Sequence, residues 1–340
     1  MKHNAIQPIA TVLPTFFAIG LCLLCVTARA DDDSELHDYT NLDANYQRLL
    51  AFKPKKDPKT GFIVGGMNTT ETIRGLTAQE RNPVIFDDAT FRRTQRSQTL
   101  GLKADERLVT AESLAKQLKD KSCRISLPNP VVTASPPALT DLYAKCRTSV
   151  FSIGEVRDCK GCGKLHVNTL GTGFVITTNG ILLTNYHVIK SIDPSFRVVA
   201  SAHDGKTYAI TGVLASNQKY DIAAVQIDGS GFQPLPLTKN NATGTRIAIV
   251  SHPRGNQYYL SEGIVTRHFL DHSLPSNRSR HIMGVSAEFA VGSSGAPVLD
   301  LMGNVVGMAT TTTQLDGQMV LRGCVPSQQI MDLFSGSTPE

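Results

Sequence analysis

Three polar residues stand out because each sits in an apolar or glycine-rich setting. His187 follows the run Ile181-Leu182-Leu183-Thr184-Asn185-Tyr186, Asp221 opens Asp221-Ile222-Ala223-Ala224-Val225, and Ser294 lies within Gly292-Ser293-Ser294-Gly295-Ala296-Pro297. A serine hydroxyl is a weak nucleophile until an imidazole can take its proton. The imidazole in turn needs a carboxylate on its other nitrogen, to hold the tautomer and stabilise the developing cation. Glycines beside the serine permit a sharp backbone in which two amide N–H groups converge on one point, where an oxyanion can be held. These residue types point to nucleophilic acyl transfer with no cofactor for catalysis. Each residue alone has ordinary structural uses, so the chemistry rests on their joint occurrence.

A second group is built from cysteine. Cys159-Lys160-Gly161-Cys162-Gly163, followed by His166, has the spacing of a knuckle that presents two thiolates to one tetrahedral metal, and Cys146 and His166 would complete a Cys3His structural zinc site. Disulfide bonding is the alternative, with one of the five cysteines beyond residue 30 left over. No thioredoxin-like pattern surrounds the Cys-x-x-Cys, which argues against a redox role.

The elements that must position these residues change character along the chain. Residues 31–124 are polar, with short helical patterns such as 111–118, where Leu114, Ala115 and Leu118 share a face. A proline-rich stretch follows, from Pro128-Asn129-Pro130 to Pro136-Pro137, and disfavours both helix and strand. From about residue 138, short β-branched runs alternate with Gly and Asn turns, the pattern of an all-β sandwich or barrel, with Asn179-Gly180 as a two-residue hairpin signal. The expected organisation is a leader over 1–30, a polar, partly helical extension and Pro-rich linker over 31–137, and a catalytic domain over 138–335.

Six strings in order, GTGFVI (171–176), LLTNYHV (182–188), YDIAAVQI (220–227), EGIVT (262–266), GSSGAPV (292–298) and NVVGM (304–308), resemble the successive motifs of chymotrypsin-fold serine endopeptidases, and most nearly the HtrA/Deg branch. The intervals of 34 residues from His187 to Asp221 and 73 from Asp221 to Ser294 are similar to the family's layout. The resemblance covers about three fifths of the chain. It implies two six-stranded antiparallel β-barrels, with Ser294 as nucleophile, His187 as general base and acid, Asp221 as its orienter and the amides of Gly292 and Ser294 as oxyanion donors. It also implies protein or peptide substrates, and copies of the chain assembling into a homo-oligomer. The wall of the first specificity pocket would include Glu288, Phe289 and Met308. Phe289 favours a small or apolar substrate side chain, while Glu288 would favour a basic one.

Departures from the pattern are specific. Ala296 stands where a second glycine usually follows the nucleophile, bringing a Cβ close to the site. Only 46 residues follow Ser294, enough to finish a barrel but not to add the PDZ domain typical of the family. Ile63-Val64-Gly65-Gly66 matches the new N-terminus of trypsin-like zymogens. Ser293 occupies the position of the Asp that would receive such an amine, so activation by that route is not expected. A non-catalytic protease-fold scaffold of the cell envelope is the competing class.

Composition bounds the rest. Lys2 and His3, an apolar centre and Ala28-Arg29-Ala30 before three aspartates form a signal peptide, so an exported protein of the periplasm or beyond is expected, with no integral span after cleavage. The formal charge of +5 falls to +3 without Lys2 and Arg29, and the basic clusters lack interleaved aromatic residues, which excludes a nucleic-acid footprint.

Overall fold

The computed structural model describes residues 55–56, 63–64, 85–274, 278–315 and 318–335. The expected leader lies outside them. Two units separate, Met1–Asn82 and Pro83–Glu340. Of the first, one antiparallel pair is described, β1 (Lys55–Lys56) with β2 (Ile63–Val64), so Ile63-Val64 lies in a strand.

The second unit holds two closed barrels. Strands β3 (Val150–Asp158), β4 (Leu165–Val175), β5 (Ile181–Thr184), β6 (Arg197–Ser201), β7 (Thr207–Asn217) and β8 (Ile222–Ile227) close in the order β3-β4-β5-β8-β7-β6. Strands β9 (Arg246–Ser251), β10 (Tyr259–Asp271), β11 (Arg280–Val285), β12 (Pro297–Asp300), β13 (Val305–Leu315) and β14 (Met319–Pro326) close in the order β10-β11-β14-β13-β12-β9. All pairings are antiparallel. This is the all-β, chymotrypsin-like architecture expected from the motifs.

Strand alternation explains how the barrels stay together. Successive side chains point to opposite faces. Leu182, Ala223, Val225 and Phe151 fill the first barrel, and Ile247, Ile249, Val265 and Val298 fill the second. Their neighbours Ile181, Leu183, Ile222, Ala224, Ala248 and Val250 join the layer between the barrels. Strands β5, β8 and β9 are therefore buried on both faces, and their sequences are continuous apolar runs rather than alternating ones.

Residues 85–137 lie against this body. Helix α1 (Asp88–Ala104) is capped by the Asp87 carboxylate, which accepts from the Ala89 and Thr90 amides at 3.0 Å. Its buried Phe91, Gln95, Thr99 and Leu102 recur at helical spacing, and Gln95 donates to Ser201 at 3.0 Å. Helix α2 (Ala111–Gln117) buries Ala111 and Leu114 against the first barrel. Lys121 and Ser216 exchange backbone hydrogen bonds of 3.0 Å. After the proline-rich stretch, α3 (Leu139–Cys146) inserts Leu142 and Cys146 into the inter-barrel layer. Among the described residues no helix is long and apolar enough to cross a membrane.

Candidate active site

Register brings His187 and Asp221 together. Thr184 at the end of β5 pairs with Ala223 near the start of β8, so the residues just beyond those strand ends must be neighbours. His187 lies on the short helix α4 (Tyr186–Lys190), and Asp221 occupies the turn before β8 with φ +60°, a left-handed conformation that few non-glycine residues adopt. His187 Nδ1 is 2.7 Å from Asp221 Oδ2, and the His187 amide donates to Oδ1 at 2.9 Å. The Asn185 side-chain amide donates to the Asp221 carbonyl at 2.9 Å.

The second barrel completes this pair. Thr310 on β13, almost fully buried, donates its hydroxyl to Asp221 Oδ2 at 2.5 Å. Sequence reading did not pair Thr310 with Asp221; the available signal was a hydroxyl closing the buried run Val305-Val306-Gly307-Met308-Ala309, ahead of the exposed Thr312 and Thr313. The carboxylate thus accepts one bond from the His187 ring, one from its backbone and one from across the interface. The Nε2 edge of the half-exposed imidazole is left for a reacting group.

Ser294 is seated by its backbone. Its carbonyl accepts from the Thr172 amide at 2.8 Å, and the Thr172 hydroxyl donates to the Gly292 carbonyl at 2.9 Å. Gly292 and Gly295 have φ of +94° and +86°. A Cβ on Gly295 would lie 2.1 Å from the Thr172 carbonyl, and one on Gly292 would lie 2.5 Å from that of His252, so the turn needs glycine for both conformation and space. A Cβ on Gly171 would meet both Val188 at 2.8 Å and the Ser294 carbonyl at 3.2 Å, which sets the serine beside the helix that carries His187. No acceptor among the described residues takes the Gly292 or Ser294 amides. No hydrogen bond joins the Ser294 hydroxyl to His187; such bonds often tighten only with substrate present. Ser293, the adjacent serine, is buried and donates to Ser251 at 3.0 Å. Ala296 projects into the second barrel's core, so its methyl group does not crowd the site.

The side chains expected on the specificity wall are differently disposed. Phe289, in the loop after β11, is buried in the second barrel, and Met308, on β13, is buried in the layer between barrels. Only Glu288 is exposed, and the Arg322 guanidinium lies 3.3 Å from its carboxylate. Val291, 68% exposed, is the apolar residue that this loop presents to solvent.

The proposed metal ligands divide. Cys159, Cys162 and His166 bring their donor atoms within 4.8 Å of one another. Cys146 does not join them: its apolar surroundings on α3 draw it into the inter-barrel core, where burial pushes its thiol up to about 11. All five described cysteines carry free thiols.

Two closed six-stranded barrels carry a His–Asp couple and a glycine-flanked serine, and residues 171–308 match the family described as "Trypsin-like peptidase domain". Over this region the chain is similar to proteases of the HtrA/DegP type. It is 26% identical over 224 residues to a Pseudomonas fluorescens protein described as "Probable periplasmic serine endoprotease DegP-like", a match covering 65% of this chain and 44% of that protein. It is 28% identical over 178 residues to "Serine protease HTRA2, mitochondrial" of Drosophila pseudoobscura pseudoobscura, covering 50% of this chain and 41% of that one. The chain thus spans less than half the length of these relatives. The structure titled "HtrA-type protease AlgW with decapeptide" shares the fold, with a TM-score of 0.51 and 18% identity over 58% of this chain and 66% of that one.

Proposed function

We propose that this protein is an exported serine endopeptidase that hydrolyses peptide bonds in proteins through Ser294, His187 and Asp221. The observation that carries the reading is the His187–Asp221 pair, closed from the other barrel by Thr310, beside a glycine turn whose Gly292 and Ser294 amides have no acceptor among the described residues. As the Ser294 Oγ bonds to the scissile carbonyl carbon, its proton passes to His187 Nε2, and the carbonyl oxygen becomes an anion held by the two amides. Asp221 keeps Nδ1–H directed at itself and stabilises the imidazolium. His187 then gives its proton to the leaving amine nitrogen as the C–N bond breaks, and an acyl-enzyme remains. Water attacks that ester with His187 again as base, releasing the acid and restoring the serine.

A small or apolar side chain is the preferred substrate residue before the scissile bond, a reading supported by the Arg322 guanidinium beside Glu288, which weakens the attraction of that carboxylate for a substrate cation. Export agrees with the signal-peptide pattern and with the periplasmic description of the Pseudomonas fluorescens relative. A fluorophosphonate probe tests the core of the reading: wild type should be labelled, and Ser294→Ala should not. Folded wild type that resists labelling and leaves an unfolded protein substrate intact would overturn it and favour the non-catalytic scaffold.

A further inference from the structure

Away from the catalytic groups, the β3–β4 hairpin ends in a turn with unusual chemistry. The Cys159 amide donates to the Lys164 carbonyl at 2.9 Å, and the Gly163 amide returns a bond to the Cys159 carbonyl at 2.8 Å, with Gly163 at φ +66°. That closed loop aims the backbone amides of Cys162 and Gly161 at the Cys159 sulfur. His166, opposite Arg157 in the register of β3 and β4, extends along the same strand until its Nε2 is 3.1 Å from Cys162 Sγ. The hairpin tip is held against α1 by an ion pair of 2.6 Å between Lys103 and Asp158.

We propose that Cys159, Cys162 and His166 form a zinc site at this hairpin tip, with water as the fourth ligand. Two sulfurs and one imidazole nitrogen are soft to borderline donors, which suit zinc and exclude calcium and magnesium, whose ligands are oxygens. With Zn–S near 2.3 Å and Zn–N near 2.0–2.1 Å, tetrahedral coordination needs donor atoms roughly 3.5–3.8 Å apart. The three donors already lie within 4.8 Å of one another, so side-chain shifts of about an ångström suffice. The two thiol protons leave to solvent on binding. The knuckle is half of a closed structural site; the single histidine leaves one position open to solvent. No other His, Cys, Asp or Glu among the described residues joins the group. The site is independent of the triad.

Metal content of the full chain, purified under reducing conditions from zinc-supplemented medium, tests the site. About one zinc per chain is expected, and Co2+ in its place should give thiolate charge-transfer and tetrahedral visible absorption. Cys162→Ser and His166→Ala should each lower zinc occupancy at least tenfold, whereas Cys146→Ser should retain it. Absence of zinc from reduced wild type, zinc surviving in either ligand variant, or a Cys159–Cys162 disulfide found by peptide mass spectrometry in metal-free protein would each overturn the proposal.

Discussion

His252 makes mild acid an informative perturbation. The residue is fully buried between β9 and the loop under the nucleophile turn; its Nδ1 accepts the Tyr258 amide at 3.1 Å, and its amide donates to the Thr172 hydroxyl at 3.3 Å. The Tyr258 ring stands edge-on at 4.6 Å between centroids, and Nε2 has no hydrogen-bond partner. Burial lowers the His252 pKa to about 3, against a smaller opposing effect of the Phe151 backbone. An unfolded histidine titrates near 6.5, so between about pH 6.5 and 3 the unfolded chain binds the extra proton. Stability conferred by neutral His252 is complete above that window and is lost as pH falls through it. At about 1.4 kcal/mol per pH unit, going from pH 7 to 4.5 removes on the order of 2–3 kcal/mol. Urea midpoints at several pH values, compared between Ser294→Ala and Ser294→Ala/His252→Asn to avoid self-cleavage, isolate the effect. With m near 2–3 kcal/mol/M for urea, the parent midpoint should fall by about 1 M more than that of the variant. Parallel pH profiles for the two proteins would refute the argument.

Other consequences follow from the same geometry. Ser294→Ala and His187→Ala should each reduce kcat by about 10³-fold or more with little change in thermal stability, measured on a peptide substrate and by calorimetry. Thr310→Val removes a buried donor from Asp221 and should cost about 1–3 kcal/mol of stability and lower kcat/KM, while Thr310→Ser restores both. Gly295→Ala forces a Cβ to 2.1 Å from the Thr172 carbonyl at φ +86°, and the melting temperature should fall by roughly 5 °C or more. Gly101→Ala, where a Cβ meets nothing within 4 Å on α1, should instead add about 0.5–1 kcal/mol. In metal-free, reduced protein at neutral pH, iodoacetamide should modify exposed Cys162 rapidly and leave Cys146 and Cys324, both buried with raised thiol pKa, unmodified until the chain is denatured.

Most of the barrel strands were legible because their apolar runs are bounded by glycine and asparagine turns. Gly180, at φ +87°, closes the Asn179-Gly180 hairpin that joins β4 to β5. The part of the chain before residue 138 was less legible. Its polar composition reads as a separate extension, yet helix α1 needs only Phe91, Gln95, Thr99 and Leu102 on one face to lie against the first barrel. Short amphipathic stripes carry little signal in a sequence because the surface that accepts them is formed by distant strands.

Sequence alone determined the chemistry available: a histidine, an aspartate and a glycine-flanked serine in the order that acyl transfer uses, and two cysteines spaced for a knuckle. Those facts depend on residue type and local spacing, which the chain carries without folding. Tertiary structure decided which residues meet. It brought Thr310 to Asp221 across the barrel interface and drew Cys146 into the core, away from Cys159. It also turned Phe289 and Met308 inward while pairing Glu288 with Arg322. Each outcome follows from which side chains meet the apolar layers, and that is set by barrel closure and packing between residues far apart in the chain.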